Sequence, residues 1–269
     1  MKKIILLFSV LSLSCSQNFL NEASSRDYDQ EYYTDAMNAL NDQKFDDAIA
    51  IIGTNISPSG QAAPKVRELL AAAYAGKCGL NFINYTNALT SQTSGSAMTN
   101  VMKPFVNLEA DPASCRLALQ TIELIGPTEA RTNNQNIFAS ITGMVLMGAA
   151  LRVYADIAPQ LGDGHADINL CTGFTDDQID DVILGFGFFS KNFAAVTSST
   201  VGSYSFSALG DVATLCSDAA GAGTCNITNP ADITPPARVI FRSLVNTQEY
   251  GIGLFVTGGN PAMVPSSCP

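Results

Sequence analysis

Apolar residues recur at spacings of three and four from residue 28 onward, and polar, proline or glycine sites interrupt the recurrence. Tyr32, Ala36, Ala39 and Leu40 form one set and Phe45, Ala48, Ile49 and Ile52 a second, with Asn41-Asp42-Gln43-Lys44 between them. That pattern predicts two amphipathic helices folded back on each other across a tight polar turn. Ser57-Pro58-Ser59-Gly60 ends the pair. A new helical pattern then runs over residues 69–80, and Leu80, Phe82 and Ile83 carry its apolar face onward into a less regular partner helix.

Residues 89–100 are rich in Ser, Thr, Asn and Gly and predict a surface loop. Asp111-Pro112 is a helix start, with Asp as N-cap and Pro at the first helical position, for a helix carrying Cys115, Leu117, Leu119, Ile122 and Ile125 that stops at Gly126-Pro127. The stretch 136–157 is the most apolar beyond the amino terminus. Its uncharged core, residues 137–151, is shorter than a bilayer requires, it carries Arg152 and Asp156, and Gly143 and Gly148 suit close packing, so it is expected as a buried central helix rather than a membrane span. A loop over 159–175 leads to Thr175, the cap of a helix that opens with Asp176, Asp177, Asp180 and Asp181 and continues with Val182, Ile183 and Leu184. Phe186, Phe188, Phe189 and Phe193 follow; they are candidates to line a hydrophobic ligand pocket, the alternative being that they fill the core. Residues 198–205 read as loop, 206–216 as a short helix, and 237–247 as a last helix with Val239, Ile240, Leu244 and Val245 inward. Residues 251–269 form an irregular tail that Cys268 is placed to tie down.

Ala36, Ala39, Phe45 and Ala48 occupy the small, small, aromatic, small positions of a tetratricopeptide repeat, which the first helical pair resembles. Tyr32 stands where that motif usually has Trp, and Gln43 where it has a turn glycine. Ala71 and Tyr74 follow Ala36 and Ala39 by 35 residues, against a repeat of about 34. The resemblance implies stacked helical hairpins that present a groove to a protein or peptide partner. The run 70–80 is also similar to a segment of bacterial lipoproteins and, distantly, to the helical lipoprotein subunit that accompanies TRAP transporters, which implies as an alternative a small-molecule or hydrophobic-ligand role in uptake.

The amino terminus changes the picture most. Lys2-Lys3, an apolar run over 4–13 and Ser14 before Cys15 read as a signal peptide, too short to span a bilayer. Leu11-Ser12-Leu13-Ser14-Cys15 resembles a lipobox, which implies lipidation at Cys15 and anchoring in the membrane of a bacterial cell envelope. Ser16 rather than Asp follows, which favours the outer membrane. The expected organisation is a signal peptide at 1–14, a tether at 15–27, one helical domain over 28–250 with a repeat-like start at 28–89, and the tail at 251–269.

The formal charge is −10, and −12 once Lys2 and Lys3 are removed, with no basic cluster; nucleic acid is not an expected partner. With 46% hydrophobic and 14% charged residues in 269, the chain can bury a sizeable core. Beyond Cys15 there are six cysteines and an exported context, hence a disulfide framework among 15 connectivities, with Cys216 and Cys225 the candidate local staple. His165 is the only histidine, and it has no recognisable nucleophile motif beside it. The Asp/Gly-rich loop around it lacks the ligand spacing of a calcium loop, no phosphate-binding glycine motif occurs, and the paired aspartates at 46–47, 176–177 and 180–181 read as solvated faces and helix caps. No catalytic residue, metal or cofactor is therefore assigned. The expectation is an all-α, disulfide-stapled lipoprotein in which tetratricopeptide-like hairpins continue into an irregular helical bundle.

Overall fold

The structure is a computed structural model that describes residues 28–81, 84–85, 87, 95–106, 108–157, 162–197, 214, 216 and 223–268. The expected signal peptide, Cys15 and the tether lie outside the described residues, as do the loop positions 89–94 and 198–205 and all but two positions of the short helix expected at 206–216. The described residues are mostly helical and contain no strand. The helices are α1 (Tyr28–Asn41), α2 (Phe45–Asn55), α3 (Pro58–Gln61), α4 (Pro64–Lys77), α5 (Ala97–Met102), α6 (Pro112–Glu123), α7 (Asn133–Tyr154), α8 (Asp176–Thr197) and α9 (Pro235–Val245).

Apart from the short α3 and α5, each helix packs on its neighbour along the chain: α1 on α2, α2 on α4, α4 on α6, α6 on α7, α7 on α8 and α8 on α9. The turn between α1 and α2 is closed by Lys44 N–H to Ala39 carbonyl at 2.9 Å and Gln43 N–H to Leu40 carbonyl at 3.0 Å. Gln43 takes the left-handed φ of 60° that this helix ending demands. Small cores fill the layer: Ala36, Ile52, Ile56, Val66 and Leu69 in one, Ala39, Ala48 and Ala73 in the other. The Phe45 ring lies against Gly76 so closely that a Cβ there would overlap it. Asp29, at the start of α1, accepts the Ser57 backbone N–H at 2.8 Å and its hydroxyl at 2.5 Å, and these bonds hold its carboxyl below the usual range.

α4 ends at Lys77, Gly79 turns the chain with a φ of 105°, and α6 lies along α4, joined to it by the Cys78–Cys115 disulfide. Phe82 and Ile83 of the partner helix expected after α4 lie outside the described residues, while positions 84, 85 and 87 are helical. The loop expected at 89–100 is too long. Ser96 caps α5 through the Thr99 N–H at 3.0 Å, and Met98, Val101 and Met102 are buried, so apolar side chains override the polar composition.

The large core is centred on α7, in which every residue from 139 to 151 is buried. It is the one described helix long and apolar enough to cross a membrane, and protein covers most of it. The helix starts at a reciprocal cap: Thr132 Oγ1 accepts the Gln135 N–H at 3.3 Å and Gln135 Oε1 accepts the Thr132 N–H at 2.7 Å. α8 runs antiparallel beside it. At their crossing a Cβ on Gly143 would stand 2.6 Å from the Gly185 carbonyl oxygen, and one on Gly185 2.7 Å from that of Gly143. Near one end of this pair, buried Arg131 donates to Asn136 at 2.9 Å and to Asn192 at 3.0 Å. α9 buries Ala237, Phe241, Leu244 and Val245; Val239, expected inward, faces solvent because the apolar face follows i, i+4, i+7 and i+8 from Ala237. The structure pairs all six remaining cysteines, as Cys78–Cys115, Cys171–Cys268 and Cys216–Cys225, with Cα separations of 5.0, 5.3 and 5.9 Å.

Candidate functional site

Two concave regions combine exposed apolar groups with charge. The first is a groove of about 580 Å³ where the end of α4, the approach to α6 and the end of α7 meet. Local chemistry shapes it. Gly79 and the Cys78–Cys115 bridge bring the 108–111 segment against the end of α4, and the Asp111 N–H donates to the Cys78 carbonyl at 3.1 Å. The end of α7 is held by Arg152 donating to the Asp156 carbonyl at 2.6 Å. Leu108, Val153 and Ile157 stand in the groove with 49%, 38% and 38% of their surface exposed. Lys77, Glu109, Asp111 and Arg152 rim it. Lys77 pairs with Asp46 at 2.6 Å, and that bond raises its pKa.

The second is a cleft of about 490 Å³ lined by Ser96, Thr99 and Lys103 from the α5 side, Asp163 and His165 from the loop, and Glu249. Residues 251–254 close it. Its walls are held from several directions. Met98 N–H donates to the Tyr250 carbonyl at 3.2 Å, Ala166 N–H to that of Ile252 at 3.3 Å, and the Ser96 hydroxyl to that of Gly251. The Cys171–Cys268 disulfide and a 2.5 Å bond from the Ser267 hydroxyl to the Ser243 carbonyl hold the carboxy-terminal end of the chain in place. Glu249 Oε1 accepts the N–H groups of Thr257 at 2.7 Å and Gly258 at 2.8 Å. Burial pushes this carboxyl upward, but the backbone hydrogen bonds together hold it below the ordinary Glu range. Beyond the 252–254 segment lies a neighbouring cleft of about 580 Å³ that shares Asp163, His165 and Leu254. Leu254, 80% exposed, stands between the two.

His165 is exposed. Asp163 Oδ1 accepts the backbone N–H of His165 at 2.8 Å, and among the described residues no hydrogen bond joins the imidazole to a carboxylate or a nucleophile. Among the same residues, no group of three or more His, Cys, Asp or Glu side chains is placed to hold a metal ion.

The aromatic set lies elsewhere. Phe186, Phe188 and Phe189 are buried, with the Phe186 ring 5.5 Å from Phe241 and 6.3 Å from Phe189 between centroids. None of the three concave regions is lined by them, and the Phe193 side chain lies outside the described residues.

The aspartates at the start of α8 are more than caps. Asp180 takes a two-pronged bond from Arg238 at 2.7 and 2.8 Å, and Asp176 one from Arg242 at 2.9 Å. Asp181, expected on a solvated face, is 1% exposed and pairs with Arg116 of α6 at 2.9 Å, while Tyr154 of α7 donates its hydroxyl to it at 3.3 Å. Burial lifts the Asp181 carboxyl to about 6 against the opposing pull of Arg116 and Tyr154, and burial with the Asp181 charge pushes Tyr154 up to about 12. The signal for this burial is the spacing: Asp181 leads the face that continues through Gly185, Phe188 and Asn192.

No known family model, curated protein or solved structure matches this chain.

Proposed function

We propose that this chain is a lipid-anchored envelope protein whose helical stack is a scaffold, receiving an apolar peptide segment of a protein partner in the groove between α4, α6 and α7. The observation that carries it is the trio Leu108, Val153 and Ile157, exposed together in one groove and rimmed by charges of both signs. An apolar centre within a charged rim is how interaction sites are commonly built, the centre contributing affinity and the rim register. Serial packing of helices along the chain supports the repeat-like part of the reading, because each added helix extends a surface. The leader and Cys15 support attachment to a membrane, which would place the groove at its surface.

A photo-crosslinking amino acid at Val153, compared with one at exposed Val239 in intact cells, tests the scaffold. A defined adduct is expected from 153 only, and it is expected to vanish when Ile157→Asp is added. Equal adducts from both positions, or an adduct indifferent to Ile157→Asp, would remove the reading. Cys15→Ser is expected to move the protein from the membrane to the soluble fraction. The second reading, a small-molecule role in uptake, is favoured by the cleft beside His165.

A further inference from the structure

Two of the three disulfides are sealed in protein and one is not. Cys78 and Cys115 are 0% exposed, Cys216 1% and Cys225 2%. Cys268 is also buried, but its partner Cys171 is half-buried and lines the cleft of about 580 Å³ beyond the 252–254 segment. A disulfide opens when a thiolate attacks one of its sulfurs, so access decides which bridge is labile, and here the bridge reached from solvent is Cys171–Cys268.

The position of this bridge gives its opening a consequence. One wall of the cleft is the loop at 163–171, and the other comes from Asn246, the 252–254 segment and Ser267. The bridge joins the two walls across 97 residues of sequence. Besides the bridge and the contact of the Cys171 sulfur with the Ser267 carbonyl at 3.4 Å, a single hydrogen bond links residues 163–171 to 246–268 among the described residues, from the Ala166 N–H to the Ile252 carbonyl at 3.3 Å. The second wall has anchors of its own. The Ser267 hydroxyl donates to the Ser243 carbonyl of α9, the Asn246 side-chain amide donates to the Ser267 carbonyl at 2.8 Å, and Val264 is buried in the large core. The loop wall is tied to the rest of the protein by buried Leu170 and by the Asp167 N–H on the Ala155 carbonyl at 2.8 Å, which keep it near when the bridge is broken.

We infer that Cys171–Cys268 is a redox-operated latch, opened by a dithiol through Cys171, that frees the 163–173 loop from the anchored tail and widens the cleft between them. One thiolate of the dithiol attacks the Cys171 sulfur, the Cys171–Cys268 bond breaks, and Cys268 leaves as a thiolate. The second thiol then attacks the mixed disulfide and releases Cys171, so the dithiol is oxidised to its own disulfide and two electrons and two protons pass to the two cysteines. The other bridges are placed as staples: Cys78–Cys115 ties α4 to α6 inside the large core, and Cys216–Cys225 spans nine residues. The latch takes no part in the groove assigned to a partner, and the failure of either leaves the other standing.

The test is stepwise reduction of the full chain with dithiothreitol, quenched by acid and read by alkylation and peptide mass spectrometry. Cys171 and Cys268 are expected to be alkylated about tenfold faster than the other four cysteines, as their access implies. With that pair alone open, hydrogen exchange is expected to rise over 163–173, the Ala166 amide included, while α7, α8 and α9 keep their protection and the helical circular dichroism is unchanged. Oxidised glutathione should restore the original pattern. Cys171→Ser combined with Cys268→Ser should show the open pattern without reductant and no further response to the first steps of it; if this variant does not fold, the titration of the unaltered chain decides alone. Reduction of another bridge first or at the same rate would overturn the inference. So would selective opening that leaves exchange over 163–173 unchanged, or that unfolds the helices, since the bond would then be a passive link or a staple.

Discussion

Where α1, α2 and α4 meet, side chains make the contact: alanines and isoleucines from three helices fill two small cores, and the half-buried Phe45 ring leans on Gly76. Where α7 crosses α8, backbone meets backbone through Gly143 and Gly185, and the surrounding core is continuous through α9. The disulfides follow the same division: none of the three has an end before Cys78. A side-chain contact can adjust when one partner changes, because rotamers give way. A backbone contact has nothing to give, so the α7–α8 crossing carries the more exacting packing, and the first layer is the part expected to open locally.

Matched substitutions test that contrast most severely. Gly143→Ala forces a methyl to within 2.8 Å of both the Gly185 carbonyl oxygen and the Phe189 backbone nitrogen, and is expected to cost about 3 kcal/mol or more. Gly76→Ala meets first the half-buried Phe45 ring, a side chain rather than backbone; with the gain in helix propensity, its net cost is expected to stay below about 1 kcal/mol. Urea denaturation of the two variants decides the matter, and equal losses would show the distinction to be false.

Acid should act on the two regions with opposite sign. The Asp181 carboxyl sits at about 6 in the folded protein against 3.8 ordinarily, so the folded state binds its proton first. Its stabilising contribution is fully present below 3.8 and is lost as pH rises through about 6, a change of roughly 3 kcal/mol. Asp29 is held below 3.8, so its contribution is present above that value and is lost as pH falls further. Hydrogen exchange from pH 7 downward should therefore show α7 and α8 gaining protection toward pH 4, followed by early fraying of α1 below it. Asp181→Asn should flatten the first change; an unaltered profile would exclude Asp181 as its source. The smallest effect is expected at the first turn: Gln43→Gly relieves the left-handed backbone at φ 60° and should stabilise α1 and α2 by about 1 kcal/mol, read as slower exchange there alone.

Helix positions were largely legible because their causes are local. Asp111-Pro112, Thr175 and the 3.6-residue apolar spacing act within a few residues of themselves, and α6, α8 and the buried α7 follow from them. Short-range composition misled where a distant surface supplied the stabilisation. Ser and Thr around α5 conceal that Met98, Val101 and Met102 lie against the large core, and the acidic start of α8 conceals that Arg116 and Tyr154 arrive from two other helices to meet Asp181.

The candidate sites were less legible still. His165 and the lack of a catalytic motif could be read directly, but the cleft around the histidine requires Lys103 and Glu249, which lie 146 residues apart in sequence. The groove likewise assembles Leu108, Val153 and Lys77 from three separate segments.

What the amino-acid sequence determined by itself is the helical class, the helix starts and the even set of cysteines beyond Cys15, since periodicity, capping and residue type are properties of neighbours along the chain. Tertiary structure alone decided which cysteines pair, that α4 lies along α6, that glycines bring α7 and α8 into backbone contact, and which residues line each cleft. Each of those depends on the distance between residues remote in sequence, which only the packed core sets.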